Sequence, residues 1–525
     1  MTGRRAGARE TILVLDCGSQ LSQLIARRVR ELNVYSELLP CDTPLQRIEA
    51  AEPRGLILSG GWDSVDSPGA PRVDPGIFAL GVPVLGICYG MQLMAHMLQG
   101  RVVRAPEREF GPSDLEVLGS PSLFRGTPAR QRVWMSHGDE ILEPPPGFTV
   151  VARSTHSRCA SMADDARRRY GVLFHPEVAH TAHGLAILDN FLRPICGCAG
   201  TWRMDSFIGE ATAAIRERAG SGHVIAGLSG GVDSSVMALL IARAIPPSQL
   251  TCLFIDNGLL REREADEVIA AFARVYRLGV RRVDARARFL AALAGVTDPE
   301  EKRRAVGRAF VEVFEREARA IGPVEFLAQG TLYPDLIEST SFRGPSAVIK
   351  THHNVGGLPE TMKLKLIEPL RELFKDEVRR LGRELGLDEA LVTRHPFPGP
   401  GLAVRLLGEV TEERLAILRQ ADDLFIRELK DTPGASGGSL YDETAQAFAV
   451  LLPVKTVGVM GDGRTYENVL ALRAVTTDDF MTADWARLPH DFLARVSARI
   501  VNTVRGVNRV VYDVSSKPPS TIEWE

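Results

Sequence analysis

Along the first part of the chain, short apolar runs alternate with stretches whose apolar residues return at helical spacing. Residues 12–15, 34–39, 55–58 and 82–87 are too short for buried helices and read as strands. Residues 19–32 carry their apolar positions on one helical face. Strand and helix in alternation predict an α/β domain with a largely parallel sheet. The pattern breaks over 191–202, where glycines, Pro194 and a loss of periodicity mark a boundary, and a helix is expected over 207–219. It then restarts, with strands at 224–228, 250–258 and 280–284 and a longer buried helical run at 236–245. After Arg405 the character changes again: a polar-faced helix over 411–429, then strands at 454–459 and 510–514. The expected fold is therefore α/β, with two successive open, mostly parallel sheet domains followed by a smaller α+β domain. The divisions fall at 1–198, 199–400 and 401–525.

Composition narrows the class. A chain of 525 residues exceeds one ordinary core, and 45% apolar with 25% charged residues is typical of a soluble globular protein. The net charge of −3 gives no sign of a nucleic-acid or membrane partner. Seven scattered cysteines, an odd number, argue against a disulfide framework and for a reducing compartment. Cys196 and Cys198 have no second ligand pair at zinc spacing. The apolar start at 11–15 runs straight into Asp16, unlike a secretory leader, and the longest uncharged stretch, 82–98, is broken by glycines, Gln92 and His96. A cytoplasmic location is expected.

The most informative stretch follows the strand at 224–228: Ser229-Gly230-Gly231-Val232-Asp233-Ser234-Ser235, leading into a helix. Adjacent glycines let backbone N–H groups approach a ligand, and the helix points its own free N–H groups at the same place, so the loop suits a phosphate chain. The three hydroxyls add donors, and Asp233 can hold a metal or cap the helix. It is neither a G-x-x-x-x-G-K-[S/T] loop nor a G-x-G-x-x-G turn. An ordinary capped strand-to-helix turn would look similar. The motif S-G-G-V-D-S resembles the PP-loop of the N-type ATP pyrophosphatases, which implies adenylation of a substrate oxygen and displacement of AMP by a nitrogen nucleophile.

In the first region, Cys88 sits where a strand ends at Ile87 and a helix begins near Gly90, an elbow that exposes a nucleophile near a helix N-terminus. A buried cysteine is more often a small hydrophobe. Far downstream, His175-Pro176-Glu177 follows another strand, giving a base and its orienter. With these motifs the region resembles the class I glutamine amidotransferase family over nearly its whole length. The resemblance implies that Cys88 attacks the glutamine amide, His175 is acid and base, and Glu177 orients it. It also implies an oxyanion hole from the backbone N–H groups of Gly61 and Tyr89. Ser136-His137-Gly138-Asp139 matches the family's synthase branch, although His137 and Asp139 read equally as loop residues. Trp62 replaces the family's usual proline after Gly60-Gly61, and its indole either reshapes glutamine access or covers the loop.

Further on, Asp335 and Glu338 fall one helical turn apart beside the expected phosphate site, a reasonable Mg²⁺ pair or a solvated helix face. Residues 349–359 combine Lys350, His352, His353 and the glycines 356 and 357. Adjacent histidines make a poor metal site, whereas Lys350 on a glycine hinge suits a lid over phosphates. The tail from 515 to 525 would ordinarily be called disordered, but its prolines limit the entropy lost on ordering, and Lys517 with Glu523 suit an anion and a base edge.

Across its whole length the chain resembles the family of glutamine-dependent XMP-aminating synthases. That resemblance implies conversion of XMP, ATP, glutamine and water to GMP, AMP, diphosphate and glutamate, through an adenyl-XMP intermediate. It implies XMP contacts at Arg261, Asp462, Lys517 and Glu523, a C-terminal dimerisation domain, and a homodimer. Mg²⁺ and ATP as co-substrate are expected, with no tightly bound organic cofactor, no nucleic acid and no membrane. Two alternatives stand beside it. A glutamine-dependent NAD synthetase would call for a nitrilase-type Glu/Lys/Cys glutaminase, which the first region does not resemble. A nucleotide-sensing module would have no need of an intact Cys88, His175, Glu177 and S-G-G-V-D-S.

Overall fold

The computed structural model describes residues 9–274, 276–339, 364–460, 463–477, 480 and 482–525. Two compact units emerge, one from residues up to Phe207 together with Ile337–Ser339, and one from Ile208–Leu336 and the described residues from 364 onward. The first unit is built on a nine-stranded sheet: β1 (Thr11–Asp16), β2 (Tyr35–Pro40), β3 (Gly55–Leu58), β4 (Val84–Ile87), β5 (Arg101–Val117), β6 (Arg130–Glu143), β7 (Thr149–Ser154), β8 (Ser161–Asp164) and β9 (Arg169–Val172), ordered β2-β1-β3-β4-β9-β8-β7-β5-β6. The first five strands of that order are parallel and the rest antiparallel. β1, β3 and β4 are buried on both faces, which is why they appear in the sequence as unbroken apolar runs. The helix Ser22–Glu31 packs Ile25, Ala26 and Val29 inward, and Tyr89–Met97 is buried from Tyr89 to Ala95.

The long β5–β6 hairpin has no apolar signature. Only three of the 17 residues of β5 are buried and its pairing with β6 is bulged, so the charged sequence of β5 does not look like a core strand. Ser136 to Asp139 consequently lie within β6, not in a loop.

In the second unit, β10 (Val224–Leu228), β11 (Leu250–Asp256), β12 (Val280–Asp284), β13 (Phe326–Ala328) and β14 (Lys365–Ile367) form an all-parallel sheet ordered β12-β11-β10-β13-β14. The helix Pro299–Ile321 starts where the Asp298 carboxylate accepts the Glu301 N–H and proline occupies the first turn. The chain then builds a four-stranded sheet from β15 (Gln446–Met460), β16 (Gly463–Thr476), β17 (Asp484–Trp485) and β18 (Val507–Tyr512). The helices Glu412–Asp431 and His490–Thr503 pack against it through Leu418, Phe425, Phe492 and Val496. One continuous core joins both sheets of this unit, running from Ile225 and Leu253 through Leu402 and Phe425 to Leu470 and Ile500. Among the described residues no helix is long and apolar enough to cross a membrane.

His395 is fixed against Tyr441 and the start of β15. Its ring stacks on Tyr441 at 3.7 Å, Nδ1 accepts the Ala447 N–H at 3.2 Å, and Nε2 meets the Tyr441 carbonyl at 3.1 Å. These partners define a neutral tautomer. Burial pulls its pKa to about 4, with Arg261 and Lys430 adding to the effect against the Tyr441 carbonyl. A histidine depressed in this way stabilises the fold above its unfolded pKa of 6.5, and the stabilisation fades as pH falls towards 4. The unfolding free-energy gap between the parent and His395→Asn should therefore narrow by about 2 kcal/mol between pH 7 and pH 5 in urea titrations. A gap independent of pH would show that His395 is not held neutral.

Candidate active sites

The strand-to-helix elbow at Cys88 is made by close approach. Gly86 and Gly90 let β4 and the following helix meet. A Cβ on Gly90 would lie 2.3 Å from the Leu58 carbonyl oxygen of β3, so no larger residue fits without moving the helix off the sheet. Between them Cys88 caps the helix at φ +51°, a sparsely populated conformation for a residue with a side chain. Its N–H donates to the Val172 carbonyl at 2.8 Å, which pins the strained residue to β9. The buried thiol lies 3.5 Å from the Ser136 carbonyl.

The segment after β9 brings in the other two groups. The His175 N–H donates to the Trp134 carbonyl at 3.0 Å, and the Thr181 hydroxyl donates to the His175 carbonyl at 2.6 Å. His175 Nδ1 meets Glu177 Oε1 at 2.7 Å, both side chains being buried. Nε2 is left for the thiol. Burial alone would lower the imidazole pKa, but the Glu177 carboxylate and the Cys88 side chain outweigh it and hold the pKa well above 6.5. The structure thus brings Cys88, His175 and Glu177 together as nucleophile, base and orienter would need to be.

The 59–61 loop closes over them. A Cβ on Gly60 would stand 3.1 Å from His175 Cε1, and one on Gly61 would meet both the Cys17 carbonyl and the Tyr89 ring at 2.9 Å. Gly61 and Tyr89 are accordingly neighbours across the elbow. Trp62 is 70% exposed, and its indole edge lies against Gly18, 3.2 Å from where a Cβ would be. It covers the Gly18 turn. His137 is buried in β6, with Nε2 3.3 Å from Glu109 and Nδ1 3.1 Å from the Asp139 carbonyl. Burial would raise the Glu109 pKa, but hydrogen bonds from His137, Ser113 and Ser154 bring it below the usual carboxylate value. This pair braces the strand that carries Ser136, and Glu109 had no sequence signal because it sits in a charged, exposed hairpin.

In the second unit, the loop after β10 turns at Gly230 (φ +77°) and Gly231 caps the helix Val232–Ala244. Ser234 Oγ accepts the Ser229 N–H at 3.1 Å, and Ser235 Oγ donates to the Gly231 carbonyl at 2.8 Å. Asp233 Oδ2 is ion-paired with Lys375, while Oδ1 is buried without a hydrogen-bond partner. Arg394 donates to the Gly230 carbonyl at 3.0 Å and is paired with the buried Glu264 at 2.7 Å. Lys375 and Arg394 lie 142 and 164 residues from the loop partners they touch, so no local pattern could have revealed them. Asp335 accepts the Leu332 N–H at 2.9 Å at the start of its own helix. Among the described residues no group of three or more metal-ligating side chains forms. Lys350 and Asp462 lie outside the described residues.

Arg261 and Glu523 converge on the start of β15. Arg261 Nη2 donates to the Ala447 carbonyl at 3.2 Å and Nε lies 3.2 Å from Asp422. Glu523 accepts Gln446 Nε2 at 2.6 Å and both Arg405 Nη2 and Nε, at 2.8 and 3.1 Å. Both guanidiniums lie over the Phe397 ring, at 5.2 and 5.0 Å. The tail is docked. Ile522 joins a cluster with Phe448 and Val475, Trp524 donates to Asp513, and Glu525 pairs with the fully buried Lys302. Lys517 contacts the Phe480 carbonyl at 2.7 Å and bridges Ala483 through its backbone.

Three family models match in series. They are described as glutamine amidotransferase class-I over residues 13–195, NAD synthase over 208–299, and GMP synthase C terminal domain over 435–524. A protein named GMP synthase [glutamine-hydrolyzing] from Nitratidesulfovibrio vulgaris is 56% identical over 520 residues, spanning 99% of this chain and 100% of the relative. Proteins of the same name from Methylobacillus flagellatus and Neisseria meningitidis are 56% and 57% identical, each covering 98% of this chain and all of the relative. The chain belongs to the glutamine-hydrolysing GMP synthase family. Membership of that family accounts for the order of the parts: a class I amidotransferase first, then the PP-loop sheet, then the sheet on which the tail is docked.

The docked tail carries a stability prediction. Arg405 is fully buried, and Glu523 is its carboxylate partner. Glu523→Ala would leave that guanidinium buried and unpaired, and the expected loss is ~3–5 kcal/mol. Glu523→Gln, which keeps an acceptor, should lose less. Urea-unfolding midpoints check both, and a neutral Glu523→Ala would mean the charge is satisfied elsewhere.

Proposed function

We propose that this enzyme hydrolyses glutamine at Cys88 and uses the ammonia to aminate XMP to GMP at the PP-loop, at the expense of ATP. What carries the reading is one chain holding both a thiol strained at an elbow beside a buried His–Glu pair and an S-G-G-V-D-S loop whose acid is held by a lysine. Cys88 attacks the amide carbonyl, and the N–H groups of Gly61 and Tyr89 receive the oxyanion. His175 takes the thiol proton and passes it to the departing ammonia, and Glu177 stabilises the imidazolium formed between these steps. The resulting thioester is opened by water, with His175 again as base, and glutamate leaves.

At the second site the XMP 2-oxygen displaces diphosphate from the α-phosphorus of ATP. Ammonia then adds at C2 and AMP departs. Ser229 to Ser235 cradle the phosphates with backbone N–H groups and hydroxyls, Lys375 and the lid residue Lys350 add charge, and Arg394 keeps the loop in shape. The buried, unpartnered Oδ1 of Asp233 fits a magnesium ligand, with Asp335 as a second. Mg²⁺ bound there with ATP would neutralise the phosphate charge. XMP is held by Arg261, Asp462, Lys517 and Glu523. Glu523 already accepts three hydrogen bonds, and a carboxylate has room for about four, so one purine N–H remains acceptable.

The divisions 1–198, 199–400 and 401–525 separate the glutaminase, synthetase and dimerisation parts. A homodimer through the C-terminal sheet is supported by Val457, Val459 and Tyr466, which leave an exposed apolar patch on the β15–β16 hairpin. A cytoplasmic location fits seven free cysteines in a nucleotide enzyme. The NAD synthase match covers the PP-loop segment alone, and an amidotransferase of class I at 13–195 argues against a nitrilase-linked NAD synthetase.

An assay of XMP, Mg-ATP and glutamine for GMP and AMP tests the reading. Cys88→Ala should abolish glutamine-dependent synthesis and spare synthesis from ammonium at alkaline pH, and equal loss with both nitrogen sources would refute two sites. Asp233→Ala should remove XMP-dependent exchange of diphosphate into ATP whatever the nitrogen source. Unchanged exchange would take Asp233 out of the phosphate site.

A further inference from the structure

Cys17 and Cys41 stand side by side at the carboxyl ends of β1 and β2. The two strands are parallel with Asp16 opposite Pro40, and the Cys41 N–H donates to the Asp16 carbonyl at 3.1 Å. The ladder therefore extends one step further and sets Cys17 opposite Cys41. Facing residues on neighbouring strands lie about 4.8 Å apart and point to the same side of the sheet. That separation falls within the ~4.4–6.8 Å Cα span of a disulfide. Both thiols are free, and they are near enough for each to shift the other's ionisation.

Their surroundings differ in a useful way. Cys17 is fully buried, whereas Cys41 is partly exposed and receives a hydrogen bond from the Arg72 backbone. The Cys17 side chain lowers the Cys41 pKa below 9.0, against its burial and the nearby Asp42 and Asp16. The Cys41 side chain, with burial, raises Cys17 well above that value. Cys41 is the member that ionises and meets solvent, and Cys17 is placed to resolve it.

The backbone of Cys17 also frames the glutaminase site. Its N–H donates to Ser59 Oγ at 2.9 Å, its carbonyl abuts Gly61, and the next residue, Gly18, lies against the Trp62 indole. We propose that Cys17 and Cys41 form a reversible disulfide on exposure to a hydroperoxide, and that closing it silences glutamine hydrolysis by shifting the 59–61 loop. In the first step the Cys41 thiolate attacks the peroxide, the O–O bond breaks, and an alcohol or water leaves with a Cys41 sulfenic acid behind. The Cys17 thiol then loses its proton and attacks that sulfur, the S–O bond breaks, and the hydroxide leaves as water. Two thiols and one hydroperoxide thus become one disulfide, an alcohol or water, and a further water. A dithiol reductant reverses it, as in transient redox-sensing disulfides of reducing compartments.

The effect on activity rests on the amidotransferase reading above, but the disulfide does not, so the two are measured separately. The full-length protein is treated with hydrogen peroxide, and non-reduced peptide mapping is done on Cys88→Ala, where the most reactive rival thiol is absent. A linked peptide pair containing Cys17 and Cys41 is expected, and its absence would overturn the proposal. Glutamine-dependent synthesis by the parent should fall ~10-fold, since ångström-scale misplacement of catalytic groups costs up to ~100-fold. Dithiothreitol should restore it, and ammonium-dependent synthesis should persist throughout. Cys41→Ser should resist the same treatment. If it loses activity as fast as the parent, oxidation of Cys88 is responsible and the switch is refuted.

Discussion

The glutaminase half of this molecule depends on how closely a helix can be brought to the edge of a sheet. Gly86 and Gly90 allow the helix Tyr89–Met97 to start against β3 and β4, and Cys88 is forced into positive φ between them. That conformation costs of order 1–3 kcal/mol and survives because Val172 holds the amide and the flanking residues are buried. The same squeeze turns the Cys88 side chain towards His175 and sets the Tyr89 N–H at the free end of the helix, beside Gly61. The strained Cys88 and the placement of Tyr89 beside Gly61 thus follow from one close contact.

The second unit is organised by buried charge. Arg405, Arg473 and Lys302 have fully buried side chains, and their partners, Glu523, Asp513 and Glu525, come from the last stretch of the chain. Unpaired, each would be costly, so the tail has to be in place for the core to be satisfied. This makes the tail a structural closure of the unit. The PP-loop follows the same logic on a smaller scale: Lys375 balances Asp233, and Arg394 links the loop carbonyl to Glu264.

Much of this was legible in the residues. Strands buried on both faces appear as unbroken apolar runs, so β1, β3, β4, β10 and β11 follow from hydrophobicity, whereas β13 and β14, three residues each, are too short to show a pattern. Cys88, His175, Glu177 and Ser229 to Ser235 were legible because each lies at the end of such a strand, where short motifs are set by local geometry. The β5–β6 hairpin was not, since an exposed strand needs no apolar pattern and its pairing is written in backbone hydrogen bonds. Glu109, Lys375, Arg394 and Arg405 were equally hidden. A charge becomes a buried partner only when folding brings its counterpart across tens or hundreds of residues, and nothing in the local sequence separates it from a solvated one. The sequence by itself determined which strand ends bear the motif residues, because period and turn residues act locally. The tertiary structure alone decided which distant charges meet there, because desolvation and pairing exist only once the chain has closed around them.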